Sequence, residues 1–292
     1  MLNLYKKMAV FFFGRIADLS MDSFRPLEPH LKKAKINVLL KTWVSMIFLT
    51  TFIILLIATF SIYFILTYVI EMDVFIYVFS VVFFPVFVAC IVFIIFYLYP
   101  VQRETSLRNS IENNMPFAIT HISAIASSGI PVEFMFDLLT GFKEYGAISE
   151  EARVIVRNIR TFGMSSTDSI KNVIKTTPSP EFGELLSGIV SIIESGGNLI
   201  SYLDSMAERA LFDYKIKREK YLKTLAMYAD IYTALLVAAP LMMLSLLATM
   251  SIIGGNILGL TIQELIILIT WIVLPVTNIT YLAFIHVTYP GV

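Results

Sequence analysis

Four long apolar runs without Asp, Glu, Lys or Arg constrain the fold of this chain more than any other feature. They extend over Val44–Ile70, Val74–Tyr99, Ile231–Ile253 and Leu265–His286. Each run is at least as long as the roughly 20 residues that cross a bilayer as an α-helix. The sequence therefore predicts an all-α, polytopic membrane protein with four transmembrane helices.

The composition indicates that a substantial part of the chain lies in water. The mean hydropathy of +0.78 is too high for a soluble domain, and a charged fraction of 15% is too high for a chain that lies wholly in a membrane. The net charge is zero, so no basic surface for nucleic acid is predicted. The single cysteine, Cys90, excludes a disulfide scaffold, and His30, His121 and His286 have no metal-ligand spacing. No metal or cofactor is predicted.

The positive charges predict the orientation in the membrane. All 22 lysines and arginines lie in residues 1–43 or 100–230, and the links 71–73 and 254–264 carry none. Because cytoplasmic segments carry the excess of Lys and Arg, both basic segments are predicted to be cytoplasmic. An even number of spans returns the C-terminus to the same side. We expect a multi-pass protein of the cell membrane with both termini and residues 100–230 in the cytoplasm.

These patterns divide the chain into four predicted parts. They are a cytoplasmic or interfacial N-terminal segment, the first two spans, a cytoplasmic helical domain and the last two spans, at residues 1–43, 44–99, 100–230 and 231–292. In the first part, Lys6 and Lys7 precede a run of phenylalanines, Phe11–Phe13. This pattern is typical of a helix at the inner membrane interface, and an additional cytoplasmic helix fits it equally well.

Glycine and proline divide the predicted cytoplasmic domain into helices. The breaks lie at Gly129-Ile-Pro131, at Gly163 and at Gly196-Gly197. Gly129, Gly163 and Gly197 are 34 residues apart, which is the period of a two-helix repeat. We expect stacked hairpins that form an antiparallel helical bundle between spans two and three. The glycine pair is predicted to let the chain reverse tightly between two packed helices.

Two helices of this domain carry more specific predictions. In the stretch after the first glycine turn, the spacing of Phe134, Met135, Leu138 and Leu139 predicts one buried face. Further on, Leu199–Asp230 contains no Gly or Pro, so a single helix is predicted to continue into the third span. Before that span this helix carries a juxtamembrane basic collar, Lys215, Lys217, Arg218, Lys220 and Lys223. A solvated collar and a contact with anionic lipid or an acidic partner are both open interpretations.

No motif of a catalytic centre is present in the sequence. GxxxxGK[ST], GxGxxG, HExxH and GxSxG are all absent. Glu194, beside the glycine pair, is one carboxylate without a partner in the sequence, which is poor evidence for a metal or for acid–base chemistry. It would also repel a phosphate at that turn. We predict no enzymatic activity, no catalytic residue and no cofactor-binding residue.

A membrane transporter or permease subunit is the alternative function. Pro240 and Pro275 lie within spans three and four, and kinked helices suit a transporter's binding site. However, the predicted spans carry no Asp, Glu, Lys or Arg, and ion-coupled transporters usually place an ionisable side chain at mid-membrane. Substrate flux in reconstituted vesicles is the observation that would distinguish a transporter from a membrane protein with another function.

Three stretches of the chain resemble one known family. They are SSGIPVEFMFDLL, TPSPEFGELLSGIVSIIESGGNLISYLDSMAE and YADIYTALLVAAPLM, and the resemblance covers about residues 110–250. Together they resemble the type II secretion system F domain, the platform protein of type IV pilus-like machines. The TPSPEF element and the tyrosines before span three look most like the archaeal branch, found in archaella and archaeal pili. Many members of this family carry two such domains, whereas this sequence carries one.

The resemblance implies a function and partners. Family members sit at the base of the filament and link a cytosolic secretion ATPase to pilin-like or archaellin subunits in the membrane, without an enzymatic activity of their own. A single F domain implies a homodimer or a pairing with another F-domain protein. We expect turns at Ser128–Pro131 and Ser195–Asn198 to face a partner. The candidate turn or partner-contact residues are Gly129, Pro131, Gly163, Glu194, Gly196 and Gly197.

Overall fold

The computed structural model describes residues 2–68, 74–254, 256–257 and 259–288. The predicted link between spans one and two, residues 71–73, therefore lies outside the described residues. The chain forms two compact units, Met1–Glu208 and Arg209–Val292, and each is described by itself.

The first unit begins with short helices that cover the start of the first long helix. They are α1 (Leu2–Leu19), α2 (Met21–Phe24) and α3 (Leu27–Lys33). Phe24 and Leu31 share one buried hydrophobic cluster with Trp43 and Ile47, which lie in the helix that follows. The N-terminal segment is therefore packed against the first turns of the first long helix.

Two long helices form an antiparallel pair. They are α4 (Leu40–Tyr68) and α5 (Val74–Ser127). The Thr67 and Tyr77 hydroxyls lie 3.0 Å apart near one end, and the rings of Trp43 and Tyr99 stack near the other. At 1.5 Å per residue, the 54 residues of α5 extend over roughly 80 Å, more than twice the thickness of a bilayer core. The second half of α5 consequently has room to form part of a water-exposed bundle.

The bundle adds four shorter α-helices to the second half of α5. They are α6 (Val132–Thr140), α7 (Ala147–Phe162), α8 (Ser166–Ile174) and α9 (Pro180–Ser195), with a 3₁₀ turn at Lys143–Tyr145. Consecutive helices pack on one another, and α5 contacts α6, α7 and α9. The two hairpins, α6–α7 and α8–α9, follow successive glycine turns, as the two-helix period predicted. Their buried residues include Met135, Phe136, Leu139, Ile148, Ile155, Ile170, Phe182 and Leu186.

Helix starts in this bundle follow their local sequence. The Ser165 hydroxyl accepts a hydrogen bond from the Asp168 N–H, which caps α8. Ser179 caps α9 in the same way through the N–H of Phe182, with Pro180 in the first turn. The structure places this second cap where the sequence TPSPEF predicts a helix to begin.

The second unit contains the last two apolar helices. Helix α10 (Leu199–Tyr232) begins in the first unit and is followed by a π-helical turn at Thr233–Ala238 and by α11 (Ala239–Ile253). A short hairpin of β1 (Asn256–Ile257) and β2 (Leu260–Thr261) comes next. The last elements are α12 (Ile262–Leu268), a second π-helical turn at Ile269–Val273, and α13 (Leu274–Thr288). Pro240 and Pro275 lie just after the two π-helical turns. A proline clashes with the carbonyl four residues earlier, so the preceding turn of each helix widens.

Four described helices are long and apolar enough to cross a membrane. They extend over Leu40–Thr67, Phe79–Ser127, Leu199–Ile253 and Ile262–His286. These helices confirm the predicted all-α fold with four transmembrane helices, and the chain is a membrane protein. The short hairpin β1–β2 was not predicted. The predicted part boundaries at residues 43, 99 and 230 concern membrane position, which contacts within the chain do not test, and they remain predictions.

Candidate partner-binding surface

Three of the predicted turns share one left-handed backbone conformation. Gly129, Gly163 and Gly196 follow α5, α7 and α9, with φ angles of 75°, 65° and 68°. Pro131 then occupies the N-cap position of α6. We refer to the end of the bundle formed by residues 128–134, 160–171 and 194–198 as the glycine-turn end.

Side-chain contacts hold these turns at the same end of the bundle. The Ser166 hydroxyl at the start of α8 donates a 2.5 Å hydrogen bond to Glu133 at the start of α6. Lys171, one turn further along α8, donates to Glu194 at 2.5 Å, and this exposed pair links α8 to the end of α9. The hydrogen bond to Glu194 and its charge raise the pKa of Lys171. Sequence reasoning gave Glu194 no basic partner because Lys171 lies 23 residues away.

The third turn differs from the prediction in one residue. Gly196, and not Gly197, has the left-handed conformation, so its spacing from Gly163 is 33 residues and the 34-residue series does not extend to it. The N–H of Gly197 instead donates to the carbonyl of Ile192 at 2.9 Å, which closes the end of α9 in the manner of a Schellman motif. Gly196 therefore occupies a backbone conformation that favours glycine, whereas Gly197 does not.

The glycine-turn end exposes aromatic side chains. Phe162 at the end of α7 is 66% exposed and Phe134 in α6 is 53% exposed. The predicted buried face of α6 was partly wrong, because Phe134 and Leu138 are exposed while Phe136 is buried with Met135. On a helix, Phe134 and Leu138 lie four residues apart on one side, and here that side is left without a covering element. Exposed aromatics of this kind suit a protein contact.

A close helix crossing attaches α10 to the bundle. The Tyr202 ring packs so closely on Gly188 of α9 that a methyl group there would lie 1.9 Å from the Tyr202 hydroxyl. The same hydroxyl donates to the carbonyl of Leu185 at 3.3 Å, and the Ser123 hydroxyl of α5 hydrogen-bonds Asp204. Sequence reasoning missed this site. Gly188 lies inside a helix pattern where no turn is needed, and an isolated glycine at such a position was the available signal.

The basic collar belongs to the second unit and is exposed. All its members lie on the surface of α10, namely Lys215, Lys217, Arg218, Lys220 and Lys223. Lys223 pairs with Glu219 at 2.9 Å, and Arg218 donates to the Tyr214 hydroxyl at 3.2 Å. The remaining charge is available to solvent or to an anionic surface, and both interpretations of the collar stay open.

The residues of the first unit also include a buried ion pair far from the glycine-turn end. Lys35 Nζ, in the segment after α3, lies 2.8 Å from Glu151 Oε2 in α7, and the Glu151 side chain is almost wholly buried. Burial raises the pKa of Glu151, and the charge of Lys35 opposes that effect. His30 Nδ1 lies 2.6 Å from Glu104 Oε2 in α5. These contacts tie the N-terminal segment to the bundle.

Among the described residues, no cluster of His, Cys, Asp or Glu could hold a metal ion. The glycine-turn end presents aromatic rings, an exposed ion pair and turn backbone. These groups are suited to a noncovalent contact with another macromolecule.

Comparisons with known proteins find similarity over the part of the chain that carries this surface. A family model for the type II secretion system (T2SS), protein F, matches residues 118–247. An uncharacterized protein of Methanocaldococcus jannaschii is 24% identical over 203 residues, which cover 68% of this chain and 34% of that protein. Flagella accessory protein J of Methanococcus voltae is 24% identical over 137 residues, which cover 47% of this chain and 25% of that protein.

Flagella accessory protein J of Methanocaldococcus jannaschii is 22% identical over 137 residues, which cover 47% of this chain and 24% of that protein. The matched part of the chain thus spans about a quarter to a third of the length of these relatives. No solved structure matches the chain. The predicted resemblance is confirmed: residues 118–247 match the family model of the type II secretion system protein F, and the chain is similar to flagella accessory protein J of two organisms.

Proposed function

We propose that this chain is an integral membrane platform protein of an archaellum, type IV pilus-like or type II secretion-like machine. It couples a cytosolic secretion ATPase to the assembly or movement of pilin-like or archaellin subunits and has no enzymatic activity of its own. The observation that carries the proposal is the family match over residues 118–247, which contains all three glycine turns and α10.

The ATPase contacts the glycine-turn end in this proposal. Phe162 and Phe134 offer exposed aromatic area, and Gly129, Gly163 and Gly196 leave turn backbone accessible around them. Aromatic side chains often supply most of the energy of such contacts. The exposed pair Lys171–Glu194 adds charged groups at the edge of this surface.

Displacement of the bundle reaches the membrane through α10. Tyr202 against Gly188, and Asp204 with Ser123, attach the start of α10 to α9 and α5. Helical structure continues from Leu199 to Ile253, with the π-helical turn at Thr233–Ala238. Pilin-like subunits contact the membrane-spanning helices in this proposal.

The orientation and partners follow the same scheme. Residues 100–230 and both termini lie in the cytoplasm, as the distribution of Lys and Arg supports. The chain works as a homodimer or with another F-domain protein, and its basic collar faces the anionic lipid headgroups of the cytoplasmic leaflet.

A charged residue at the glycine-turn end tests the ATPase contact. We expect Phe162→Asp to weaken capture of the full-length chain by its secretion ATPase about tenfold, because a buried interface would then contain an unpaired carboxylate. Filament assembly in cells should fall with it. The measurement is pull-down from solubilised membranes with a parallel filament count.

Phe212→Asp is the matched control, since Phe212 on α10 is 63% exposed and is not one of the residues of the glycine-turn end. It should leave capture unchanged. Normal capture and normal filaments with Phe162→Asp would remove the glycine-turn end from the proposal.

A second variant tests the attachment of α10. We expect Gly188→Ala to abolish filament assembly while the chain still captures the ATPase, because the added methyl group displaces Tyr202 and with it the start of α10. Adding Tyr202→Ala removes the clash and should restore part of the assembly. If Gly188→Ala assembles filaments normally, transmission through this crossing is wrong.

The transporter alternative has one observation in its favour. In the second unit, α11 and α13 with the π-helical turns line an apolar groove of about 580 Å³, bounded by Leu236, Met243, Ile269, Leu274, Thr277 and Phe284. None of the residues that line this groove is charged. Substrate flux in vesicles that contain the chain but no ATPase would support a permease and contradict the platform proposal.

A further inference from the structure

Helix α1 has one face packed on protein and one apolar face that is uncovered. The packed face carries small residues, Ala9, Gly14 and Ala17, which lie buried against the start of α4. The opposite face exposes large apolar side chains, and the most exposed are Leu4, Phe11, Phe12 and Leu19. In water such a face is costly, because burying phenylalanine and leucine side chains away from water lowers the free energy.

Contacts with α4 hold α1 beside the start of the first predicted span. The Tyr5 hydroxyl hydrogen-bonds the Thr50 hydroxyl at 2.6 Å, and Lys41 Nζ lies 2.7 Å from Asp18. The helical part of the first apolar run, Val44–Tyr68, is roughly 37 Å long, about 7 Å longer than the hydrocarbon core. Its first turns, near Met46 to Thr50, therefore reach the headgroup layer, and the first half of α1 lies at that depth.

The charges of α1 complement an anionic surface. Lys6, Lys7 and Arg15 precede the first acidic residue, Asp18, and Lys7 and Arg15 are exposed on the same side as Phe11. Among the described residues α1 is not one of the helices apolar enough to span a bilayer. A basic amphipathic helix of low net hydrophobicity is the kind that lies in the membrane interface.

We propose that α1 is a membrane-surface helix that docks on anionic lipid headgroups beside the first span. Leu4, Met8, Phe11 and Phe12 insert between the lipids, while Lys7 and Arg15 contact lipid phosphates. The lipid thereby covers the apolar face that the protein leaves open. This inference is independent of the ATPase contact proposed above.

Fluorescence in nanodiscs that hold one full-length chain and anionic lipid tests the proposal. In a Cys90→Ala background, a polarity-sensitive dye is attached to Phe12→Cys or, as a control, to Phe162→Cys. These side chains are 62% and 66% exposed, so protein burial does not separate them. We expect a blue-shifted emission that lipid-borne nitroxide quenches at position 12, and neither effect at position 162. Equal exposure to water at both positions would overturn the proposal.

Reversing two positive charges of α1 provides a second test of the proposal. We expect Lys7→Glu with Arg15→Glu to lower the ratio of docked to undocked α1 about fivefold for each charge, and Lys143→Glu with Lys175→Glu in the bundle to leave it unchanged. Quenching at position 12 that is equally strong in zwitterionic discs would contradict docking on anionic headgroups. Quenching that needs two chains per disc would assign the face to a second copy and overturn the proposal.

Discussion

The two ends of the bundle make their turns in different ways. At the glycine-turn end, a methyl group added to Gly163 or Gly196 would meet no atom within 4 Å. At the other end, which we call the α5-facing end and define as residues 141–151 and 175–179, a methyl group on Gly146 would lie 2.6 Å from Ser110 Oγ of α5. That oxygen also accepts a hydrogen bond from the N–H of Ala147 at 3.2 Å. One end is packed against α5, and the other is open.

Each end also has at least one ion pair between helices or segments distant in sequence, and the pairs Lys35–Glu151 and Lys171–Glu194 differ in exposure. The pair Lys35–Glu151 at the α5-facing end has a carboxylate that is 1% exposed. In the pair Lys171–Glu194 at the glycine-turn end, both side chains are about half exposed. Exposed pairs contribute little to stability, whereas a buried pair costs much if one partner is lost. The α5-facing end therefore contributes more to holding the bundle together, and the open glycine-turn end has the exposure that the proposed partner contact requires.

Replacing a turn glycine by alanine should cost much more stability at the α5-facing end than at the glycine-turn end, and the greater loss is expected at Gly146. Its φ of 53° and ψ of −121° lie where residues with a side chain are strained, and the methyl group also meets Ser110. We expect Gly146→Ala to cost about 3 kcal/mol, seen as roughly 100-fold faster amide exchange over the start of α7. Hydrogen exchange by mass spectrometry on the full chain in detergent measures it. Exchange unchanged at α7 would show that this end is not held by α5.

A smaller effect is expected at the glycine-turn end. Gly196→Ala places a side chain in the left-handed region without a clash and should cost about 1 kcal/mol, with faster exchange confined to the end of α9. Gly197→Ala is the control, since Gly197 has no positive φ and a methyl group there would touch Ile192 at 3.4 Å and Ser195 at 3.5 Å without a clash. A larger loss for Gly197→Ala than for Gly196→Ala would reverse the assignment of the two glycines.

The smallest predicted effect is a pH dependence. Burial raises the pKa of Glu151 above its ordinary value of 4.5, so the folded chain holds this proton more tightly than the unfolded chain. The resulting stability is fully present below the unfolded pKa and is lost as the pH rises through the raised folded pKa. Relative to Glu151→Gln, the unmodified chain should therefore gain stability as the pH falls.

Thermal unfolding in detergent at several pH values measures this difference. Glu194→Gln at the open end is the matched control, and we expect it to leave stability unchanged because the pair is exposed. A stability difference between the chain and Glu151→Gln that is constant with pH would contradict the account of the buried carboxylate.

The spans and turns could be predicted because their signals are local. An uninterrupted apolar run determines a membrane helix by its length, and a glycine between two periodic segments marks a turn whatever surrounds it. The continuation of α10 towards the third span follows from the lack of Gly and Pro after Leu199. The caps at Ser165 and Ser179 likewise depend on residues within one helical turn.

Contacts between distant segments could not be predicted from the sequence. The spacing in α6 leaves the rotation of the helix undetermined by about one residue, and the packing of α7 decided that Phe136 is buried and Phe134 exposed. The partners of Glu151 and Glu194 lie in other helices or segments. The approach of Tyr202 to Gly188 depends on how α10 crosses α9, which no periodicity records.

Site-specific photo-crosslinking in cells tests directly whether the secretion ATPase contacts the glycine-turn end. A photoreactive residue replaces Phe162 at the glycine-turn end or Phe142 at the α5-facing end, both of which are exposed. We predict a crosslink to the secretion ATPase from position 162 and none from position 142. A crosslink from position 142 alone, in cells that assemble filaments normally, would contradict it.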